Sequence, residues 1–181
     1  MNKEGYKMIR AILYTTNTGT TKQYAGLLGQ ATGLPVHSLD ECKKILPSGT
    51  EIIYLGWIMA GGISGYRDAA KRYRISMVCA VGIEPAGNKQ ELREKNGISA
   101  GVELFTLQGG YLPNRLRGVQ KLLMHIITST AGKKLAGKAG RTPEEDDLLE
   151  LMQHGGSRVR QENLKAPLQW YRQYLGGTTH E

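Results

Sequence analysis

The chain predicts an α/β fold in which a five-stranded parallel sheet carries helices on both faces. Three observations carry that prediction. Short apolar runs alternate with helical patterns over the first 107 residues, as βαβ crossovers require. The first run is almost continuously apolar, as a strand buried on both faces must be. Five runs on this spacing favour the strand order 2-1-3-4-5. In that order the first strand is central, and its C-terminal end opens at the switch point where ligands bind.

Residues 8–14, Met-Ile-Arg-Ala-Ile-Leu-Tyr, form the first strand. Thr20–Thr32 is a helix, because Tyr24, Leu27, Leu28 and Ala31 match the i, i+3, i+4, i+7 template. Gly33 ends it and Pro35 follows. A capping box is expected from Thr20 to Gln23. Residues 35–39 make a short outer strand. Residues 51–57 make a buried strand built on Ile52, Ile53, Tyr54 and Leu55. A short helix over 65–73 carries Arg67, Lys71 and Arg72, and 75–83 is the next apolar strand. Lys89–Asn96 is a polar, solvated helix, and 102–107 is the last strand.

After that strand the pattern changes. Residues 115–130 place Leu116, Val119, Leu122, Leu123, Ile126 and Ile127 at helical spacing, with Arg117, Lys121 and His125 between them. A loose Gly-, Ala- and Lys-rich segment is expected over 132–141. Thr142-Pro143-Glu144-Glu145 is a helix start: a cap, Pro at the first position, then acids on the positive end of the dipole. Gly155-Gly156 stops that helix. A last helix over 163–175 sets Leu164, Leu168, Tyr171 and Leu175 on one face. The organisation is thus a single domain over 1–181, with an insertion-like basic segment at 108–142 and C-terminal helices from 143 onward.

Composition suits one globular domain: 181 residues, 40% hydrophobic and 22% charged. No apolar run approaches the length that spans a bilayer, and residues 1–5 lack the apolar segment of a secretory signal. Cys42 and Cys79 form no CxxC, and Cys79 lies in a strand pattern as a core residue. Two reduced cysteines fit the cytoplasm. His37, His125, His154 and His180 are scattered without metal-ligand spacing, and no nucleophile–base or paired-carboxylate arrangement stands out. The net charge of +8 is local. No Asp or Glu occurs between Glu103 and Glu144, and that gap holds Arg115, Arg117, Lys121, Lys133, Lys134, Lys138 and Arg141, nearly the whole excess.

The most specific signal is Thr16-Asn17-Thr18-Gly19-Thr20-Thr21, where the first strand gives way to the first helix. Helix N-terminal N–H groups, threonine hydroxyls and a glycine that admits close approach make a phosphate seat. Lys22 lies just past it, and the six residues themselves contain no cation. A P-loop needs a second glycine followed by Lys and Ser/Thr, and here Thr20 follows Gly19. A dinucleotide fingerprint needs three spaced glycines. A receiver domain needs acids after this strand, where Thr15 and Thr16 stand. A Thr-rich helix cap without a ligand is the alternative.

The remaining pattern, T-x-T-G-x-T, resembles the FMN-phosphate loop of flavodoxins. The resemblance covers the layout from about Met8 to Leu107, and its specific part is residues 16–21. It implies a flavodoxin-like three-layer sandwich and FMN as cofactor. Three further loops at the same sheet edge are then candidates for the flavin ring. The first is Gly56-Trp57-Ile58-Met59-Ala60-Gly61-Gly62, where Trp57 could stack and Gly61 or Gly62 could turn a peptide toward the ring. Trp57 is equally well read as a core tryptophan. The second is Gly82-Ile83-Glu84-Pro85-Ala86-Gly87-Asn88. The third is Gln108-Gly109-Gly110-Tyr111, in which paired glycines allow close approach and Tyr111 is either a cover or a surface aromatic. Leu107-Gln108-Gly109-Gly110 ahead of a long basic, apolar segment resembles the flavodoxin-domain subgroup that includes menaquinone-dependent protoporphyrinogen dehydrogenases.

That resemblance implies an FMN-dependent oxidoreductase that passes electrons between a donor and a quinone or porphyrin-type substrate. The alternatives are a non-enzymatic electron carrier and a basic interaction module without flavin. Carriers of this family are acidic, whereas this chain is basic. Positive charge beside a flavin would favour its anionic reduced form and raise its potential. The segment 115–141 has two readings: a helix lying on an anionic membrane surface, or a final helix covering the sheet. Nucleic acid is disfavoured because no recognition motif accompanies the charge.

Overall fold

A computed structural model describes residues 8–84 and 87–177. Residues 1–5, Pro85, Ala86 and His180 of the sequence reading lie outside the described residues. β1 (Ala11–Tyr14) is buried along its whole length. It lies between β2 (Val36–Ser38) and β3 (Glu51–Met59), with Ile12 opposite Val36 on one side and Ile53 on the other. β4 (Gly62–Ile63), β5 (Arg74–Gly82) and β6 (Glu103–Gln108) complete a mostly parallel sheet.

The parallel strands lie in the order β2-β1-β3-β5-β6, and β4 adds a sixth, antiparallel to the end of β3. Five strands were expected. The sixth arises because β3 does not stop at Trp57. It continues to Met59, turns through Ala60 and Gly61, both at positive φ, and returns with Ile63 opposite Ile58. A two-residue turn of that hand matches the twist of the strands it joins.

Alternation along each strand builds two cores. Ala11, Leu13, Tyr54, Val78 and Ala80 face α2 (Leu39–Cys42), α3 (Tyr66–Arg72) and α4 (Lys89–Asn96), meeting Leu39, Tyr66, Ala69 and Leu92. Ile12, Ile53, Leu55, Cys79 and Val81 meet Tyr24 and Leu28 of α1 (Thr20–Thr32), Leu164 of a 3-10 turn (Gln161–Leu164) and Tyr171 of the helix that follows it. α2 was not expected. It forms because Ser38 and Glu41 close a capping box around a single turn.

After β6 come β7 (Gly110–Tyr111), α5 (Gly118–Ala136), α6 (Pro143–His154), β8 (Gly156–Ser157) and α7 (Lys165–Gly177). β7 and β8 pair antiparallel, Tyr111 opposite Gly156. The expected start of α6 is present in full, with Thr142 and Glu145 capping each other reciprocally.

Three expectations need correction. Thr20 does not cap α1: it is the first helical residue, and the cap is Gly19, left-handed at φ 100°, with no side-chain cap bond. The Thr16 hydroxyl instead accepts the Gly19 N–H at 3.1 Å. Residues 132–141 are not uniformly loose. α5 runs to Ala136, because Lys133-Lys134-Leu135-Ala136 are good helix formers and Gly132 is buried beside Leu149 and Met152 of α6. Finally, the helix that covers the sheet is α7, not the segment 115–130.

Candidate functional site

The Thr16–Thr21 loop sits at the C-terminal end of the central strand. The first loop-closing bond of α1 runs from the Gln23 N–H to the Gly19 carbonyl, 3.1 Å. The N–H groups of Thr20, Thr21 and Lys22 therefore precede the helical ladder. Thr20 and Thr21 are buried, and the Thr21 hydroxyl is a buried oxygen with no hydrogen-bond partner among the described residues.

The seat acquires a cation that its own residues lack. Arg115, ending a 3-10 turn over Pro113–Arg115, donates from Nη1 to the Thr18 carbonyl at 3.1 Å. The same nitrogen stands 3.4 Å from where a Cβ on Gly19 would be. Nothing local announces Arg115, which lies 97 residues away. Its only signal is its place in the acid-free stretch.

The base of the seat is fixed from beneath. Thr15 Oγ1 and Tyr54 OH both donate to the Ser64 carbonyl at 2.6 Å. Burial pushes the Tyr54 phenol well above its ordinary value, so it stays a neutral donor.

One cavity opens beside the loop and a second adjoins it away from the loop. A small one of about 50 Å³ is bordered by Asn17, Thr18, Thr20, Trp57, Gly110 and Tyr111. A larger one of about 300 Å³ is bordered by Met59, Ala60, Gly61, Glu84, Thr106 and Ile127, among others. Ile58, Gly82, Ile83 and Met124 line both. The larger cavity lies at the lower end of the usual size of ligand pockets. Asn17, Thr18 and Thr20 of the threonine loop thus share one small cavity with Trp57, Gly82 and Tyr111. Leu112, Leu116 and Met124 also enter the walls; Leu116 stood out in the sequence only as part of an apolar helical pattern, and Leu112 and Met124 not at all.

Gln108, Gly62 and Gly109 border neither cavity. The Gln108 side chain turns to Asp147 at 3.4 Å, and its carbonyl accepts the Tyr24 hydroxyl. Gly62 borders a depression with Arg67 and Asp68. The paired glycines are explained by the protein itself. A Cβ on Gly109 would lie 2.5 Å from Val81 Cγ1, and one on Gly110 would lie 2.4 Å from the Gly156 carbonyl. Tyr111 is not a surface aromatic but is buried against Leu116 and Leu151. Gly61 packs against the Lys95 side chain, whose ammonium donates to the Ala60 carbonyl.

Burial pushes the Cys79 thiol up to about 12, so it is a neutral core group. No cluster of His, Cys, Asp or Glu able to hold a metal ion occurs among the described residues. No helix among them is long and apolar enough to cross a membrane. The chain matches no family model, no curated protein and no solved structure.

Proposed function

We propose that this chain is a flavodoxin-like FMN-binding oxidoreductase, passing electrons between a donor and a quinone or porphyrin-type acceptor. The observation that carries the proposal is the buried, unpartnered Thr21 hydroxyl in a threonine loop at the end of the central strand, where Arg115 donates to the Thr18 carbonyl. An unpaired buried hydroxyl costs free energy, and a phosphate oxygen would supply its missing partner. The open N–H groups at the start of α1 favour the same anion.

The residues fit the group. Thr16, Asn17, Thr18, Gly19, Thr20 and Thr21 would hold the phosphate, and Arg115 would contribute charge. The ring would lie among Trp57, Ile58, Gly82 and Tyr111. Its space spans both cavities, and Met124, unbranched and adaptable, is the side chain that must move aside. FMN when bound supplies the electron-transfer chemistry. The chain's own part is to seat the phosphate, fix the loop through Tyr54 and Ser64, and keep water from the ring with Leu112, Leu116 and α5. The cytoplasm, where the buried Cys42 and Cys79 stay reduced, is the compartment this function implies.

The test is a titration of the purified protein with FMN, followed by absorbance and flavin fluorescence. Saturable one-to-one binding, with quinone-dependent reoxidation after reduction, is the expected result. A protein that neither carries nor takes up FMN would refute it. Tight FMN binding without turnover of any quinone would favour the carrier alternative.

A further inference from the structure

α5 is apolar on the side that faces away from the protein. Thr128 and Gly132 are its buried residues, and Met124, Ile127 and Ala131 border the larger cavity. Val119, Leu122 and Ile126 project outward, 81%, 62% and 53% exposed, with Leu123 beside them. At i, i+3, i+4 and i+7 these four make one continuous stripe. Exposed leucines scattered singly need no explanation, but a contiguous stripe does.

The charge around the stripe has one sign. Arg117 precedes it and Lys133 and Lys134 follow it, while Lys121, seven residues before the buried Thr128, lies on the opposite side of the helix. None of these four is in an ion pair among the described residues. Four of the five acids of α6 are already engaged: Glu145 with Lys138, Asp146 with Arg141, and Asp147 and Glu150 with Arg158; Glu144, in its first turn, is in no ion pair among the described residues, and Glu84 borders a cavity with Lys134.

We propose that this face of α5 docks on an anionic lipid bilayer, with the stripe in the headgroup–acyl boundary and the lysines on the phosphates. The proposal does not rest on what the cleft holds. A second copy of the chain is a poor occupant, because cations flank the stripe at both ends and would meet cations in either orientation. Protein hot spots favour Trp, Tyr and Arg over Leu and Val, and the stripe holds no aromatic residue. A basic, aliphatic helix that cannot span is the kind that lies in a membrane interface.

The test is co-sedimentation of the full chain with phosphatidylcholine vesicles, with and without phosphatidylglycerol, at low salt. Retention is expected only on the anionic vesicles, and should fall as salt rises. K133Q/K134Q is expected to lower the partition coefficient about 30-fold. V119Q/L122Q/I126Q is expected to lower it about 100-fold or more. Gln is as good a helix former as the residues it replaces, so both variants should keep the wild-type circular dichroism and Tm. No retention on anionic vesicles at low salt would overturn the proposal. So would retention unchanged by V119Q/L122Q/I126Q, or a concentration-dependent dimer abolished by that variant in place of vesicle binding.

Discussion

Thr21→Val tests the phosphate seat through two effects of opposite sign. The Thr21 hydroxyl is buried and has no partner, while Val has nearly the same shape and no polar atom. A buried unsatisfied hydroxyl costs about 1–3 kcal/mol, so the variant should be more stable than the wild type when no ligand is present. For a chain of this length each kcal/mol moves Tm by about 2–4 °C, so a rise of several degrees is expected. With FMN the sign reverses. A hydrogen bond to a charged phosphate is worth about 1.5–3 kcal/mol, so Kd should rise about 10- to 150-fold. Wild type should gain Tm on adding FMN by mass action, and the variant should gain less. Thermal melts by circular dichroism at several FMN concentrations, with a fluorescence titration for Kd, read both effects. A variant that melts below wild type without ligand and binds FMN equally well would refute the reasoning. The hydroxyl would then be serving the apo fold and not a phosphate.

Three more expectations follow from the same geometry. Arg115→Ala should weaken FMN binding about 10-fold and flatten its salt dependence, since it removes a cation from the seat while the helix N-terminus remains; an unchanged titration curve would place Arg115 outside the site. Gly65→Ala should destabilise the protein by about 3 kcal/mol or more, measured by urea unfolding. Gly65 has φ 75°, and its Cβ would lie 2.3 Å from Tyr54 OH and 2.7 Å from Thr15 Cγ2. Glu51 gives a pH signature. Burial opposes its charge, but hydrogen bonds from Ser76, Tyr174 and Arg74 outweigh burial and hold its carboxyl below the ordinary value. Its contribution is therefore present above the unfolded pKa near 4.5 and lost as pH falls through the lower folded value. Urea midpoints measured from pH 7 downward should show a shallower acid limb in Glu51→Gln than in wild type.

The sheet was legible because buried parallel strands leave near-continuous apolar runs, and α1 because its apolar residues keep helical spacing and Gly33 ends it. The sixth strand was hidden because two residues carry no periodicity. The strand-to-helix loop Thr16–Thr21 was legible because its residues are contiguous. Arg115 and Met124 were not, since their roles depend on how the post-β6 segment folds back. Of the apolar pattern of 115–130, Val119, Leu122, Leu123 and Ile126 form one outward stripe, while Leu116 is buried ahead of α5 and Ile127 borders the larger cavity; periodicity cannot tell an inward face from an outward one. Only the position of α6 and the buried Gly132 decides it.

The pairing of β7 with β8 has a consequence for how this chain tolerates change. Everything from Leu112 to Gly155 departs from and returns to one short antiparallel ladder, so its two ends lie a strand spacing apart, about 5 Å. Tyr24 locks the return: its hydroxyl takes the Asn163 amide at 2.6 Å and donates to the Gln108 carbonyl, so α7 is held on the sheet by residues outside the excursion. The α5–α6 unit is thus a cassette on a closed base. Exchanging it for a two-residue turn should leave the sheet, α1 and α7 able to assemble, which makes Gly110–Tyr111 and Gly156–Ser157 the natural splice points for grafting.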